Sequence, residues 1–234
     1  MKIALMQPYL FPYIGYFQLI HAVDQFVIHD DVQYINGGWI NRNRILVSGQ
    51  WHYITLPVKK DAHYLDINKR YFTEHFEKNK QRILRQIEGG YRKAPYYENI
   101  LKLVEQVFTH SEKNVSAFLM HQLSQICAYI GIKNKFPISS KLKKNNTLKG
   151  QDRVIEITRM LEADHYVNLI GGRSLYTREA FAKRSIKLSF LKTKIGEYPQ
   201  FTSPYVLSSS IIDVLMFNNK EKLNKILNEY ELIE

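Results

Sequence analysis

The sequence predicts an α/β fold built on a parallel sheet, with a helical insertion. The first observation is the order strand, loop, helix, strand over residues 2–29, which is how a parallel strand pair begins. The second is a helix over 150–163 followed by apolar strands over 166–170 and 186–191. Three helical segments lie between these two parts of the chain. In such sheets ligands bind beyond the carboxyl ends of the strands, so the fold class indicates where a site would lie.

Apolar periodicity and turn residues predict the individual elements. Residues 44–47 and 52–58 flank a Ser-Gly-Gln turn and are expected to form a hairpin. A helix beginning near Thr73 is expected to stop at Gly89-Gly90. The predicted strands are 2–6, 25–29, 44–47, 52–58, 136–139, 166–170 and 186–191. The predicted helices are 16–23, 73–87, 94–108, 111–131 and 150–163, with one or two more within 208–231.

Length and composition fit a single α/β domain over residues 1–234, with the helical insertion at about 64–132. Hydrophobic residues make up 45% and charged residues 24%, as in an ordinary globular protein. No stretch approaches the roughly 18 apolar residues of a membrane-spanning helix, and prolines near the N-terminus argue against a signal peptide. The single Cys127 excludes an internal disulfide and a multi-cysteine metal site. The expected location is therefore the reducing cytoplasm.

The chain carries an excess of positive charge. Lysine and arginine number 33 against 22 acidic residues, for a net charge of +11. Seven of the basic residues lie between Lys133 and Arg153, where Asp152 is the one acid. Such a field concentrates nucleotides, nucleotide sugars, nucleic acids or anionic lipids. A solvated basic surface without a partner is the simpler interpretation, so the charge indicates an anionic partner without choosing one.

The segment MQPYLFPYIGYF, which leaves the first strand, combines prolines with tyrosines. Prolines stiffen a loop, and this loop lies at the edge of the sheet where ligands bind. Gln7, Tyr13 and Tyr16 are candidate substrate-binding residues, because they offer hydrogen-bonding groups and flat faces for stacking. A packed aromatic loop that binds nothing is the alternative.

Three polar residues directly follow the second strand. His29, Asp30 and Asp31 are the candidate catalytic residues, because an imidazole or a carboxylate can act as a base and carboxylates can also hold a metal or a sugar hydroxyl. Of the eight histidines, His29 and His165 are the best placed, each near a strand end. Neither an HxxxH nor an HExxH pattern occurs, so the spacing predicts no metal site.

Arginines and asparagines alternate over residues 41–44. In an extended chain Arg42 and Arg44 share a face and could grip a phosphate or carboxylate. A structural ion pair between Asp31 and one arginine is the alternative. Burying this many polar groups is costly unless each has a partner, which favours a site. The substrate-binding candidates from this segment are Trp39, Asn41, Arg42, Asn43 and Arg44.

Two later segments add candidates. Residues 168–176, NLIGGRSLY, end a strand in glycines that would let a ligand approach the backbone, although any strand can stop at glycines. Residues 205–215, YVLSSSIIDVL, place serines before a helix, where they can hold an anion or simply cap the helix. The candidates are Gly171, Gly172, Arg173, Tyr176, Ser208, Ser209 and Ser210.

Together these blocks resemble the WbqC-like protein family. The resembling stretches are MQPYLFPYIGYFQLI, DDVQYINGGWINRNRI, ITLPV, YVNLIGGRSLY and YPQFTSPYVLSSSIIDVL, and they run from residue 1 to about 217. The family is associated with gene clusters for bacterial surface polysaccharide, especially O-antigen. The resemblance implies a cytoplasmic role in modifying a sugar or glycan precursor.

A second resemblance concerns architecture. In HIGH-type nucleotidylyltransferases a first strand leads to an H-x-G-H loop and a helix, and YIGY at residues 13–16 is similar to it, with tyrosines for both histidines. Residues 208–213, SSSIID, resemble the late S-S-T-x-I-R motif, with Asp213 where arginine would be. This resemblance implies a Rossmann-like fold with both loops facing one pocket. The replaced residues count against nucleotidyl transfer itself.

The first functional hypothesis is acyl or aminoacyl transfer to the amine of a nucleotide-linked amino sugar, in the synthesis of a surface polysaccharide precursor. His29 or Asp30 is the expected base. Asp31 and Asn43 are expected to orient the sugar. The alternating arginines would hold the diphosphate, and the backbone of the glycine pair would stabilise a developing oxyanion.

Three alternatives stay open at this point. The first is nucleotidylyl or adenylyl transfer, which needs Mg²⁺ with Asp30 or Asp31 as ligands; under the other hypotheses no cofactor is predicted. The second is a non-catalytic protein that binds glycan precursors or scaffolds other proteins. The third is RNA binding, with an aminoacyl-tRNA as donor, which would show a steep dependence on salt.

Overall fold

The structure, a computed structural model, describes residues 1–201, 205 and 210–234. Its strands are β1 (Lys2–Met6), β2 (Gln25–Ile28), β3 (Arg42–Val47), β4 (Gln50–Thr55), β5 (His165–Leu169), β6 (Lys187–Thr193) and β7 (Tyr230–Ile233). Its helices are α1 (Ile14–Ala22), α2 (Phe76–Tyr91), α3 (Tyr97–Phe108), α4 (Val115–Ile130), α5 (Gly150–Met160), α6 (Arg178–Ala182), α7 (Ile211–Phe217) and α8 (Lys220–Asn228). Within these ranges, none of the helices has the length and apolar character needed to cross a membrane.

Five strands form one sheet in the order β2-β1-β5-β6-β7. β1 pairs in parallel with β2 on one side and with β5 on the other, β6 continues in parallel, and β7 closes the edge in the antiparallel direction. The chain therefore leaves β1 toward β2 and returns on the opposite side of β1. Ligands of open α/β sheets bind at such a reversal of strand order. The predicted α/β class with a mostly parallel, Rossmann-like sheet is confirmed.

Both faces of the sheet are covered, because successive residues of a strand point to opposite sides. Ile3 and Leu5 of β1 are buried in a cluster that includes Val154 of α5 and Phe181 of α6. Ala4, between them, belongs to the larger cluster on the other face, which includes residues of α1 and α8. A strand of almost continuous apolar residues is what such a doubly covered position requires.

The chain between β2 and α5 carries the antiparallel β3–β4 hairpin and the helices α2, α3 and α4. Their apolar faces join the larger core cluster, so this part shares one continuous core with α1. Phe72 and Phe76 stack with ring centroids 4.7 Å apart, and Phe118 of α4 packs edge-on against both. Asn114 caps α4 by accepting the N–H of Ala117 at 3.1 Å. These helices thus pack through their apolar faces, as amphipathic helices ordinarily do.

The predicted end of α2 at Gly89-Gly90 was wrong, because the helix continues to Tyr91. A side chain at Gly90 would place its Cβ 2.5 Å from the carbonyl oxygen of Leu46. Glycine is needed there so that α2 can approach the backbone of β3, not to terminate the helix. A glycine needed for close approach and a glycine that ends a helix cannot be told apart from the sequence.

One further expectation was also wrong. Residues 136–139 do not form a strand, although Lys135 and Ile138 make single parallel bridges to β2. Pro137, which lacks an N–H, cannot donate to a continuous ladder. The C-terminal part holds two helices as predicted, but Tyr230–Ile233 then forms the edge strand β7.

Candidate functional site

A cleft of about 690 Å³ lies at the carboxyl ends of β1, β2 and β5. We call it the switch-point cleft, because it lies where the strand order reverses. Three of the segments chosen from the sequence meet in it. The predicted residues that line it are Gln7, Tyr13, His29, Trp39, Gly171, Gly172 and Tyr176. A larger groove of about 1130 Å³ lies between α5 and α6, and none of the predicted residues lines it.

The loop between β1 and α1 is held rigidly by side chains from distant elements. Gln122 of α4 accepts the N–H of Phe11 at 3.0 Å and donates to the carbonyl of Tyr9 at 3.2 Å. Asn43 of β3 donates to the carbonyl oxygens of Leu10 and Phe11. Asn43 was predicted to contact the sugar, but its amide is used to fix this loop. The loop is therefore a preformed wall of the cleft.

The two predicted tyrosines of this loop have different positions. Tyr13 lines the cleft, and burial, reinforced by Tyr9, raises the pKa of its hydroxyl to about 12. It is therefore a neutral hydrogen-bonding group at any physiological pH. Tyr16 is fully buried and donates to the carbonyl of Gln7 at 2.8 Å. Tyr16 thus supports the backbone of the loop from the core side and has no contact with the cleft.

His29 and Asp31 form the charged corner of the site. His29 Nε2 lies 3.9 Å from Asp31 Oδ1, and it is buried without a hydrogen-bond partner in the described part of the chain. Asp31 Oδ2 is paired with Lys144 Nζ at 2.6 Å and lies 3.9 Å from Arg153 Nη1. The ion pair suggested between Asp31 and Arg42 or Arg44 was wrong, since these two cations take that place.

Burial controls the protonation of this corner. It lowers the pKa of His29 to about 4, with Arg153 and Lys144 acting in the same direction and Asp31 against them. Burial alone would raise the pKa of Asp31, but its hydrogen bond and charge interaction with Lys144 leave that pKa below its usual value. At neutral pH the imidazole is therefore neutral and the carboxylate is charged.

Asp30 has a structural role, unlike Asp31. Its Oδ1 accepts the N–H of Ser140 at 3.0 Å, and its Oδ2 accepts the hydroxyl of the same residue at 2.7 Å. The side chain is buried and fully used, which removes it as the base. Of the oxygens expected to bind Mg²⁺, Asp31 Oδ2 is held by Lys144, while Asp31 Oδ1 has no hydrogen-bond partner among the described residues. Among the described residues no three His, Cys, Asp or Glu side chains converge on one point.

The glycine pair after β5 lies in a tight turn over Ile170–Leu175, and both glycines line the cleft. A Cβ at Gly172 would lie 3.3 Å from the side chain of Asn168. Asn168 in turn donates to the hydroxyl of Tyr176 at 3.0 Å and so fixes that ring at the cleft. Arg173 is exposed and does not line the cleft, so its predicted role is not supported by its position.

The arginines of β3 do not form the expected fork. Arg42 donates to the carbonyl oxygens of Gly37 and Gly38 and stacks on Tyr53 at 4.8 Å, so its donors serve the local turn. Arg44 lies between two tryptophan rings, 4.3 Å from the centroid of Trp51 and 5.6 Å from that of Trp39. The two arginines therefore do not grip one phosphate together as predicted, and the guanidinium of Arg44 is the one that stays available to a ligand.

Arg44 opens into a small side chamber of about 200 Å³, which we call the Arg44 chamber. Its walls are Tyr9, Pro12, Tyr13, Trp39, Asn43 and Arg44. Three of these residues, Tyr9, Tyr13 and Trp39, also line the switch-point cleft, so the two hollows adjoin. Asn41, which was also predicted to bind substrate, lies away from both hollows. It is buried and bonded to Tyr34 and to the carbonyl of Leu56.

Comparison with known proteins identifies the family. The chain matches the WbqC-like protein family over residues 7–225. This chain belongs to the WbqC-like protein family. It is 28% identical over 221 residues to a Mycobacterium tuberculosis (strain ATCC 25618 / H37Rv) protein named "Uncharacterized protein Rv1507c", covering 93% of each chain. No solved structure matches it.

The late serine motif of this WbqC-like chain falls partly outside the described residues, which leave out Ser208 and Ser209. Ser210 caps α7 by accepting the N–H of Ile212, and its hydroxyl donates to the carbonyl of Phe11 at 2.9 Å. Asp213 is fully buried and accepts the hydroxyl of Tyr91 at 2.9 Å. In the described part, the motif therefore serves packing of the loop and core.

Sequence reasoning missed several residues of the WbqC-like site. Lys144 and Arg153 belong to the basic run, but they point inward to Asp31. Gly150 and Gln151 begin α5 and line the cleft, with no side-chain cap from the preceding residue. Asn168 lines it from inside β5. Asn168 could have been found from the sequence, because it is a polar residue within an apolar strand. Lys144 and Arg153 could not, because a buried basic residue and a surface one look alike in sequence.

Proposed function

We propose that this WbqC-like protein transfers an acyl or aminoacyl group to the amine of a nucleotide-linked amino sugar, in the cytoplasmic synthesis of a bacterial surface polysaccharide precursor such as that of O-antigen. The polysaccharide context comes from the family resemblance. The switch-point cleft is the proposed site, and its volume of about 690 Å³ falls within the range of small-molecule sites.

The observation that carries the proposal is the neutral, unbonded imidazole of His29 on the wall of this cleft. A base must be unprotonated and must have a free nitrogen within reach of the substrate. His29 meets the first condition, because burial lowers its pKa to about 4. For the second, Nε2 is not bonded to any described residue and His29 lines the cleft; Nε2 itself is buried, so the proposal requires the bound substrate to reach it.

The proposed step begins with attack of the sugar amine on the carbonyl carbon of the donor. The C–N bond forms while His29 accepts the amine proton, and the bond from the carbonyl carbon to the leaving oxygen or sulfur then breaks. The imidazolium returns its proton to that leaving atom. Asp31, 3.9 Å from Nε2, stabilises the imidazolium, and Lys144 holds the carboxylate in place.

The start of α5 supports binding of the diphosphate. Its first turn begins at Gly150 beside the cleft, where unbonded backbone N–H groups and the helix dipole attract anions. Gly150 has φ +52°, a conformation that favours glycine. The backbone at Gly171 and Gly172, which also lines the cleft, is the proposed oxyanion support.

Nucleotidyl transfer receives less support from the same residues. Tyr16, at the position of the second histidine of the HIGH-type loop, is a core residue. Asp213, at the position of the late arginine, is buried and bonded to Tyr91. Since Asp30 is also bonded within the fold, the chain offers no phosphate- or magnesium-binding group at these three positions.

Mass spectrometry of paired incubations tests the proposal. The protein is mixed with nucleotide-linked amino sugars and, in turn, with acyl-coenzyme A and aminoacyl-tRNA donors. We expect one pairing to give a sugar nucleotide heavier by the acyl or aminoacyl group. Calorimetric titration of the same sugar nucleotides runs in parallel. Binding without any product would leave a precursor-binding protein, and neither binding nor product would refute the proposal.

A further inference from the structure

Arg44 is a half-buried cation without a polar partner. Its guanidinium contacts the rings of Trp39 and Trp51, and its Nε is buried with no hydrogen bond. Within the described ranges, no side chain or carbonyl pairs with the guanidinium. A donor of a charged group that is buried and left unpaired, as Nε is here, is costly. Such a group is expected where a ligand supplies the missing acceptors.

The walls around Arg44 select the shape of that ligand. Tyr9, Tyr13 and Trp39 give the chamber flat aromatic surfaces, and Pro12 closes it. Its volume is about 200 Å³, which corresponds to roughly seven water molecules at about 30 Å³ each. That space suits one planar ring rather than a sugar with its phosphates. Because the chamber adjoins the cleft, a ring held there would carry its attached groups into the cleft.

We propose that the Arg44 chamber is a nucleobase subsite, and that it prefers bases with two adjacent hydrogen-bond acceptors. The ring would stack on the aromatic walls, and the two terminal nitrogens of Arg44 would donate to the acceptor pair. Guanine offers O6 and N7, and cytosine offers O2 and N3. Adenine places an amino donor beside N7, which a guanidinium repels. This inference rests on the proposed function, because it names the nucleotide part of the substrate bound in the same site.

Intrinsic fluorescence gives a direct test. The chain has two tryptophans, and both contact Arg44, so tryptophan emission reports on this chamber. We titrate the unmodified protein with GMP, CMP, UMP, AMP and inorganic phosphate. GMP or CMP should quench the emission and bind at least about tenfold more tightly than AMP. Equal affinity for all four nucleotides, or full quenching by inorganic phosphate alone, would overturn the proposal.

A matched pair of variants assigns the preference to Arg44. Arg44→Lys keeps the charge but loses the planar pair of donors, so it should abolish the preference for GMP or CMP over AMP. Arg82→Lys, an exposed position on α2, should keep it. Thermal unfolding confirms that each variant is folded. If Arg44→Lys fails to fold, the titrations of the unmodified protein still decide the question.

Two sources could present the same base, and a further titration separates them. A GDP- or CDP-linked sugar is compared with a six-nucleotide single-stranded RNA of the preferred base. Tighter binding of the linked sugar identifies the acceptor as the source, and tighter binding of the RNA identifies the unpaired end of an aminoacyl-tRNA donor. None of these titrations requires turnover. Base-selective binding without any transfer product would therefore refute the proposed reaction alone, and transfer without base selectivity would refute this subsite alone.

Discussion

A histidine lies beside an aspartate at each end of the central sheet, and the two pairs have different surroundings. At the carboxyl end, His29 stands beside Asp31; at the amino end, His165 stands beside Asp164. In both cases burial lowers the pKa of the histidine. In both cases the aspartate pairs closely with a cation, Lys144 at 2.6 Å and the N-terminal ammonium at 2.7 Å.

The difference lies in what remains free. His165 uses its Nε2 in a hydrogen bond of 2.8 Å with the hydroxyl of Ser189, and Asp164 is mostly exposed to water. His29 lines a cleft and its buried Nε2 is unbonded, and its neighbouring carboxylate is held by a lysine whose side chain is 1% exposed. A perturbed histidine therefore indicates function only when its geometry leaves a nitrogen available. The comparison also explains why two equally promising histidines in the sequence differ in the structure.

The sharpest way to break this comparison is to remove each histidine. We expect His29→Gln to lower the turnover number by about 10²- to 10⁴-fold, the usual contribution of a general base. His165→Gln should leave it unchanged, since its partner is the hydroxyl of Ser189 at the opposite edge. The measurement is the initial rate with the donor and sugar nucleotide that give product. Equal rates for both variants would show that His29 is not the base.

The second test removes each aspartate and measures stability. Asp31→Asn leaves the ammonium of Lys144 buried without its counter-charge, and we expect a loss of about 3–5 kcal/mol in the free energy of unfolding. Asp164→Asn should cause no measurable change, because its partner is the solvated N-terminus. Urea unfolding at pH 7 provides both values. A small effect at Asp31 would mean that Lys144 finds another partner, and the corner would not be preorganised.

The sequence predicted the framework of this site because apolar strands and helix-spacing patterns are local signals. It placed the loop after β1 and the residues after β2 at one edge of a parallel sheet, and Gln7, Tyr13 and His29 do line one cleft. The pattern could not separate Asp30 from Asp31. Their roles depend on Ser140 and Lys144, which lie more than a hundred residues further along the chain.

Most of the wrong site predictions concern polar side chains that hydrogen-bond to backbone groups of the protein. Asn43 and Tyr16 bear the same polar groups that a substrate-binding residue needs, but they bond to carbonyl oxygens of the loop after β1. An irregular loop needs such partners for its buried backbone groups. Arg42 does the same for the turn at Gly37 and Gly38. Polar residues near a strand end therefore include those that shape the site as well as those that contact a ligand.

The smallest expected effect is a difference in the pH dependence of stability. Burial lowers the pKa of His29 from 6.5 to about 4, so between these values the unfolded chain binds a proton that the folded chain does not. The contribution of neutral His29 is complete above pH 6.5 and is lost as the pH falls toward 4, by at most about 1.4 kcal/mol per pH unit.

Urea unfolding from pH 7 to pH 4.5 should therefore show a flatter profile for His29→Gln than for the unmodified protein. His165→Gln should flatten the profile less, because its side chain is less completely buried than that of His29. Asp31, whose pKa lies below its usual value, stays ionised over this pH range. If His29→Gln kept the full slope, the pKa of His29 would not be lowered in the folded protein, and the imidazole would titrate near its ordinary value of 6.5.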